Sequence, residues 1–310
     1  MSEEKIQVFA PASIANVSCG FDVFGFAIEE LGDFVDARFN NQGKIIIESI
    51  EGAEGLPLEP ELNVTTIAAQ ALLDEVGEKR GITFNIRKTV IPGSGLGSSA
   101  SGAVAGAFAA NELVGKPFSK LELVRFAGVG EQVASNQLHH DNVAPSMLGG
   151  FSVVRSNEPL DVLSIDYPED IRVVVAHPQI EVKTKQAKRM LGRTMSISNA
   201  VIQFGNVAGL VLGMTSKNYD LIGRSMVDML AEPVRSRLIP LYDEAKQISL
   251  EAGAIGTNIA GSGPAIFSFC KGDKSAKAVL EAFKKVYAKS NLSVNYFTSK
   301  INPEGAKRIF

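Results

Sequence analysis

The chain has 310 residues, 45% of them apolar and 21% charged, which is the make-up of a globular protein long enough for a large core or two domains. Its 31 basic and 34 acidic residues leave a net charge of -3 with no Lys/Arg block, so broad nucleic-acid binding, which calls for a basic excess, is disfavoured. The two cysteines, Cys19 and Cys270, are too far apart for metal spacing and fit a reducing cytoplasm; no secretory leader and no run of about 18 apolar residues argues for export or a membrane.

The first 50 residues read as strands and turns: an extended run at 6–9, alternation at 35–39, and a short apolar run at 44–48. From 63 to 78, Val64, Ile67, Ala68, Ala71, Leu72 and Val76 recur on one helical face, and Gly77 and Gly81 mark the end. Residues 82–87 alternate as a strand. A glycine-rich loop at 92–97 leads into a helix at 98–114, and a second helix spans 119–135, opened by Ser119 with Glu122 three residues on. Gly149-Gly150 precede a strand at 151–154. Residues 156–170, rich in Asn, Pro, Asp and Glu, read as a connection between domains, and 171–176 as an apolar strand. Helices are predicted at 184–191, 196–214, 218–230, 239–252 and 275–288, and strands at 264–269 and 294–298. Strands and helices mix without βαβ alternation, which points to an α+β chain of two domains, 1–160 and 161–310, and not to a doubly wound parallel sheet.

Pro92-Gly-Ser-Gly-Leu-Gly-Ser-Ser-Ala-Ser101 is the most informative segment. Glycines at 93, 95 and 97 let backbone approach a bulky ligand closely. Ser98 and Ser99 fall where a helix begins, and the free N–H groups and positive dipole end there suit phosphate. The string lacks the Gly-Lys-Ser/Thr ending of a Walker loop and the Rossmann glycine spacing. A flexible turn with a serine cap accounts for the glycines alone equally well.

The whole string resembles the P-x-x-x-G-L-G-S-S-A signature of the GHMP kinases. Two further strings resemble the homoserine kinases of that superfamily: Ala10-Pro-Ala-Ser-Ile-Ala-Asn-Val-Ser-Cys-Gly-Phe-Asp22, and His139-His-Asp-Asn-Val-Ala-Pro-Ser146 with Gly149-Gly150 after it. Gly261-Ser-Gly-Pro264 resembles a third, late glycine loop, with Ala260 where a serine is frequent. The resemblance implies an N-terminal domain like the second domain of ribosomal protein S5, a ferredoxin-like C-terminal domain, a homodimer, and transfer of phosphate from ATP to the side-chain hydroxyl of L-homoserine, a step of threonine biosynthesis. It implies that Pro92, Gly93, Ser94, Gly95, Leu96, Gly97, Ser98, Ser99 and Ala100 wrap the ATP phosphates with Asn63 near the base, and that Ser99 and Glu131 hold Mg2+.

For the substrate, the resemblance implies Asn16, Asp22, His139, Thr184, Lys188 and Arg235. Chemistry asks for the same types: an ammonium needs an anion or acceptors, and a carboxylate suits an arginine fork. The family's T-x-x-A-R string here reads Thr184-Lys-Gln-Ala-Lys188-Arg189, so a lysine without a fork stands at the arginine's place. Read without the family strings, Asp22 serves as a turn cap, Arg235 as a surface ion pair and Glu131 as an exposed helix residue. Several GHMP kinases have an aspartate where this chain has Asn142. An amide takes no proton at neutral pH, so catalysis is expected without a protein base, with Asn142 positioning the hydroxyl, Arg235 beside it, and Asp141 ranked second as a base. Another small alcohol as acceptor, or a non-catalytic sensor of ATP and a metabolite, are the other readings.

Overall fold

The computed structural model of the chain describes residues 5–135, 139–180, 191–192 and 194–310. β1 (Lys5–Val17) and β2 (Gly20–Asn40) make one long antiparallel hairpin, turning through Ser18 and Cys19. Alternation marks β1 only at its start, where Ile6, Val8 and Ala10 are buried between less buried neighbours. From Pro11 to Ala15 every residue is buried, because this half of the hairpin is covered on both faces. The outer part of β2 pairs with β4 (Gly81–Arg87), which takes β3 (Ile46–Glu51) in parallel at the edge; its inner part pairs with β5 (Phe151–Asn157), which pairs with β6 (Leu160–Ile165). With β11 (Lys307–Arg308) on β1, this is a seven-stranded sheet.

Helices α1 (Val64–Val76), α2 (Ser98–Leu113), α3 (Lys120–Ser135) and α4 (Val143–Leu148) pack on one face of it. α2 lies in the middle of this layer with 13 of its 16 residues buried, which explains its alanine-rich sequence: a helix enclosed on all sides has room only for small side chains. Ser119 and Glu122 form the expected capping pair at α3, Ser119 N–H donating to Glu122 Oε2 at 2.8 Å.

A second, antiparallel sheet runs in the order β10 (Val294–Ser299), β7 (Ile171–Pro178), β9 (Ile266–Lys271), β8 (Ala254–Ile259). Val173, Val175, Phe267 and Phe269 face α5 (Ile197–Thr215), α6 (Tyr219–Ser225) and the phenylalanines of the hairpin; Val174, Ala176 and Ile266 face α8 (Tyr242–Glu251) and α9 (Gly272–Tyr287). Burial on both faces is why these strands read as continuous apolar runs. A one-turn helix, α7 (Glu232–Arg235), precedes α8.

The chain returns to the first sheet at its far end. Gly150 N–H donates to Asn302 O at 2.7 Å, Ala306 N–H to Met147 O at 3.2 Å, and Gln7 N–H to Phe310 O at 3.0 Å. Gly149 and Gly305 pass so close that a Cβ on Gly305 would lie 2.4 Å from the Gly149 nitrogen.

Some elements differ from the sequence reading. Residues 156–170, read as a connection, contain β6, whose half-exposed residues were masked by the surrounding polar turn residues. The helix expected to run to 230 ends at Ser225, because the Asp228 carboxylate draws the amides of Leu230, Ala231 and Glu232 onto itself at 2.8–3.0 Å. β8 was missed; Gly256 and Asn258 weaken its strand pattern. The helix predicted at 184–191 falls mostly outside the described residues. α5 contains no run of 18 apolar residues, yet by length and composition it is apolar enough to cross a membrane, with an 18-residue window at mean hydropathy 1.4 of which 22% is buried. Its polar side chains Gln203 and Asn206 bond the 227–229 segment, so it is tied into the second half of the fold.

Candidate active site

Three loops converge between the two sheets. The first is the hairpin tip, where Asn16, Ser18 and Asp22 all have left-handed backbone, φ 54°, 51° and 55°. Asn and Asp tolerate that region better than most residues, and Asn16 Oδ1 holds the bend by accepting from Asp22 N–H at 2.8 Å. The second is the glycine loop, with φ 88° at Gly95 and 69° at Gly97, where side-chain-bearing residues are strained. The third is 260–263. Gly261 N–H donates to Ala15 O at 3.0 Å, Ala265 N–H to Ser94 O at 3.1 Å and Ser13 N–H to Leu96 O at 3.2 Å, so the loops are bonded to one another through backbone.

The glycine loop is braced from below. Asp33, fully buried, takes the Lys88 ammonium and the Ser101 hydroxyl, and Lys88 Nζ also donates to Ser98 O at 2.6 Å. Asp33 accepts from Thr89 N–H at 3.1 Å as well. This buried pair, satisfied on several sides, fixes the first turn of α2 relative to β2 and β4. The Ser98 hydroxyl is used locally, donating to Val90 O at 2.7 Å. Ser99 remains on the cavity wall.

The cavity enclosed by these loops measures about 600 Å³. One end is apolar, formed by Leu56, Pro57, Leu62, Val64 and Ile86 around Asn63. Asn63 also caps α1, its Oδ1 accepting from Thr65 N–H at 3.0 Å while its Nδ2 donates to Pro57 O at 3.0 Å, so it shapes the wall it lines. Pro92, Gly93, Gly95, Gly97, Ser98 and Ser99 form the middle, with Glu131 on α3 opposite. The far end is charged, lined by Asn16, Asp22, His139, Asp141, Asn142 and Arg235.

At the charged end, His139 Nδ1 lies 3.7 Å from Asp22 Oδ2. Asn142 Oδ1 accepts from Ser13 Oγ at 3.0 Å, which leaves the amide NH2 as the group Asn142 can offer a ligand. Arg235 is only 3% exposed. It donates from Nη1 to Gly261 O at 3.2 Å, stands 5.1 Å over the Phe21 ring, and has a buried Nε with no hydrogen-bond partner. Burial pulls its pKa below the ordinary value, against the pull of Asp22, Asp228 and Asp141. A buried guanidinium with unused donors is built to receive an anion from outside. Asp141, 3% exposed, has its pKa pushed up to about 7 by burial and then by the charges of Asp22 and Glu131. An added cation relieves that repulsion. The charged end therefore presents acidic groups and an arginine side by side, complementary to a zwitterion.

Residues 63–150 match the family model for the GHMP kinases N terminal domain, and residues 210–289 that for GHMP kinases C terminal. The homoserine kinase of Chloroherpeton thalassium is 43% identical across 98% of this chain and 99% of its own length. The chain belongs to the GHMP kinase family. The homoserine kinase of Pyrococcus abyssi is 37% identical over 98% of this chain and 99% of its own. The crystal structure of a homoserine kinase from Cytophaga hutchinsonii, 42% identical, matches with a TM-score of 0.97, covering 100% of this chain and 98% of that one. The L. major mevalonate kinase in complex with R-mevalonate shares the fold at a TM-score of 0.72 and 15% identity, over 97% of both chains.

In this GHMP kinase the structure brings most of the candidate residues to one cavity. The side chains of Ser94, Leu96 and Ala100 are 1%, 2% and 0% exposed and turn inward, so they shape the loop without lining the cavity. Thr184, Lys188 and Arg189 lie outside the described residues. His140 is also turned away, its Nδ1 2.8 Å from Asn157 Oδ1. Sequence reasoning missed Lys88, just past β4, and Asp33 in β2, which carry no motif, and passed over Ser13 although it lies within the 10–22 string. The Leu56-Pro57-Leu58 run in a polar stretch was the available signal for the apolar end.

The state of Asp141 makes a testable statement about this GHMP kinase. A carboxyl whose pKa rises from 3.8 to about 7 on folding favours the fold while protonated and loses that contribution as pH climbs through the folded value. Asp141→Asn is therefore expected to raise the melting temperature of the ligand-free protein at pH 8 by a few degrees, on the order of 1–3 kcal/mol. The gain should shrink from pH 7 downward and vanish near pH 4. Calorimetry of both proteins across pH 4–8 checks this.

Proposed function

We propose that the chain transfers the γ-phosphoryl group of ATP to the side-chain hydroxyl of L-homoserine, yielding ADP and O-phospho-L-homoserine. The observation that carries this reading is the charged end of the cavity: the buried Arg235, with its unpartnered Nε, beside Asp22 and Asp141. A neutral sugar would leave both kinds of charge unanswered and mevalonate the acidic ones, whereas an amino acid answers both. The homoserine kinases similar over nearly full length support the same substrate.

In this reading the apolar end takes the adenine, and the glycine loop at the N-terminus of α2 takes the phosphates through backbone N–H groups. Asp22 and Asp141 take the ammonium, Arg235 the carboxylate, and the Asn142 amide orients the hydroxyl toward the phosphates. Phosphoryl transfer rests on alignment and charge neutralisation. Asp141, ionised by the incoming ammonium, serves binding, and the hydroxyl proton leaves on phosphate or water. Among the described residues no three His, Cys, Asp or Glu side chains gather as a metal cage. Ser99 and Glu131 offer hard oxygen donors on the phosphate wall, which suits Mg2+, an ion that takes most of its ligands from phosphates and water. When bound, it would offset phosphate charge.

ADP release by the purified chain with Mg-ATP, compared across L-homoserine, mevalonate, shikimate, galactose and no acceptor, tests the proposal. Release dependent on homoserine is expected. Release with another alcohol, or ATP binding with no acceptor turned over, would refute it.

A further inference from the structure

The two ends of a bound amino acid are met by segments far apart in sequence. Asp22 belongs to the hairpin tip, and Arg235 to α7. One buried side chain bonds both supports closely. Gln203 of α5, buried at 7% exposure, donates from Nε2 to Cys19 O at 2.7 Å, three residues before Asp22. The same Nε2 donates to Asp228 Oδ1 at 3.1 Å, and Oε1 accepts from Met229 N–H at 2.8 Å. Asp228 in turn gathers the amides of Leu230, Ala231 and Glu232, which open α7, and Arg235 N–H closes that turn on Ala231 O at 2.9 Å.

A lesser brace runs parallel: Asn258 Nδ2 donates to Glu232 Oε2 at 2.8 Å but reaches Ser18 Oγ only at 3.4 Å. Gly261 makes a third link, its N–H donating to Ala15 O at 3.0 Å and its O accepting from Arg235 Nη1 at 3.2 Å; of the three, Gln203 is the one that bonds the backbone next to Asp22 and the segment that opens α7 with a single side chain at 2.7–3.1 Å. A primary amide is the group for this place. It offers donors to the Cys19 carbonyl and the Asp228 carboxylate and an acceptor to an amide N–H, whereas a carboxylate would repel the first two and an apolar side chain would make none of the three bonds.

We infer that Gln203 is a positioning residue that sets the spacing between the ammonium-binding arm at Asp22 and the carboxylate-binding arm at Arg235, and so makes the site selective for ligands carrying both groups on one carbon. This rests on the proposed reading of the cavity as an amino-alcohol site. A ligand that uses both arms gains from their fixed spacing; a ligand that uses one arm does not.

The test is Gln203→Met, which keeps the length of the side chain and removes its three bonds, with Gln203→Glu as a second, isosteric variant that keeps an acceptor for Met229 N–H and turns the two donated bonds into repulsions. For each, KM and kcat are measured for homoserine and ATP, with inhibition constants for two single-arm analogues, aminopropanol and γ-hydroxybutyrate, and the melting temperature. The expected result is a homoserine KM raised at least about tenfold, an ATP KM within about twofold of wild type, and analogue inhibition constants within about threefold. An unchanged homoserine KM in either folded variant overturns the inference. So does a rise in the analogue constants as large as that for homoserine, which would mark a purely structural role. Failure of the wild-type chain itself to bind or phosphorylate homoserine overturns the substrate reading, and the spacing role falls with it.

Discussion

Replacing Arg235 by alanine is expected to lower kcat/KM for homoserine by about 100- to 1,000-fold, the cost of removing one partner of a buried charge pair. The loss should appear mainly in KM for homoserine and leave KM for ATP almost unaltered, because Arg235 is at the charged end of the cavity, away from its apolar wall. Arg235→Lys should recover little of it, since the side chain is held between the Gly261 carbonyl and the Phe21 ring in a way that suits a planar fork. The ligand-free variant should be no less stable than wild type. Its buried Nε has no hydrogen-bond partner, so truncation removes a desolvated charge as well as packing. Steady-state kinetics with each substrate varied, together with melting curves, separate these outcomes. A fall in stability that accounts for the lost activity would contradict the role given to Arg235.

The second large effect is expected at Gly95. Its φ is 88°, and a Cβ there would stand 2.3 Å from Ala260 O and 3.0 Å from Gly263 O. Both are backbone atoms, which cannot swing aside as a side chain would. Gly95→Ala must therefore part the glycine loop from the 260–263 loop, with about 1–3 kcal/mol of backbone strain added. The carbonyl of Gly261, which accepts from Arg235, belongs to the displaced loop. Both substrates should suffer: KM for ATP rising, kcat falling, and kcat/KM down by about 100-fold or more. Gly93→Ala is the control, since nothing lies within 4 Å of a Cβ at that position. A Gly95 variant no worse than the Gly93 variant would show that the close approach is unimportant.

The comparison of these two glycines shows what was legible in the sequence. The string 92–101 marks the loop, and the helix that follows it starts at Ser98 as expected. Which glycine is crowded was not legible, because that depends on residues 260–263, brought in by tertiary packing. The same holds for charge. Asp22, Arg235 and Glu131 stand out only through motif strings, and the burial that gives Arg235 its meaning and lifts Asp141 to about 7 is a property of the fold. Nothing in the sequence around Asp141 signals that it is desolvated near two other acids. Lys88 and Asp33 illustrate the limit. Each is one charged residue at the end of the β2–β4 pairing, Asp33 just before Phe34 and Lys88 just after Arg87, and only that pairing puts them together. Helices were read well where one face is apolar, as in α1. β6 and β8 were not, since short strands with exposed or glycine positions lack a period.

The return of the far end of the chain to the first sheet has a consequence for connectivity. Ile309 N–H and Phe310 N–H both point to Gln7 O, at 2.8 and 3.4 Å, so residues 5–7 and 309–310 are neighbours. The helix that follows Asp141 and Asn142 is strapped by residues 302–306, more than 150 positions downstream. The molecule is thus a ring closed by backbone bonds and not by a peptide link. Severing the chain between β6 and β7 would strip the N-terminal piece of that strap and loosen Asn142 at a distance. Joining residues 5 and 310 through a short peptide and reopening the chain at an exposed turn would instead preserve every bond of the site. The native order of elements is one of several circular orders that the same architecture can hold.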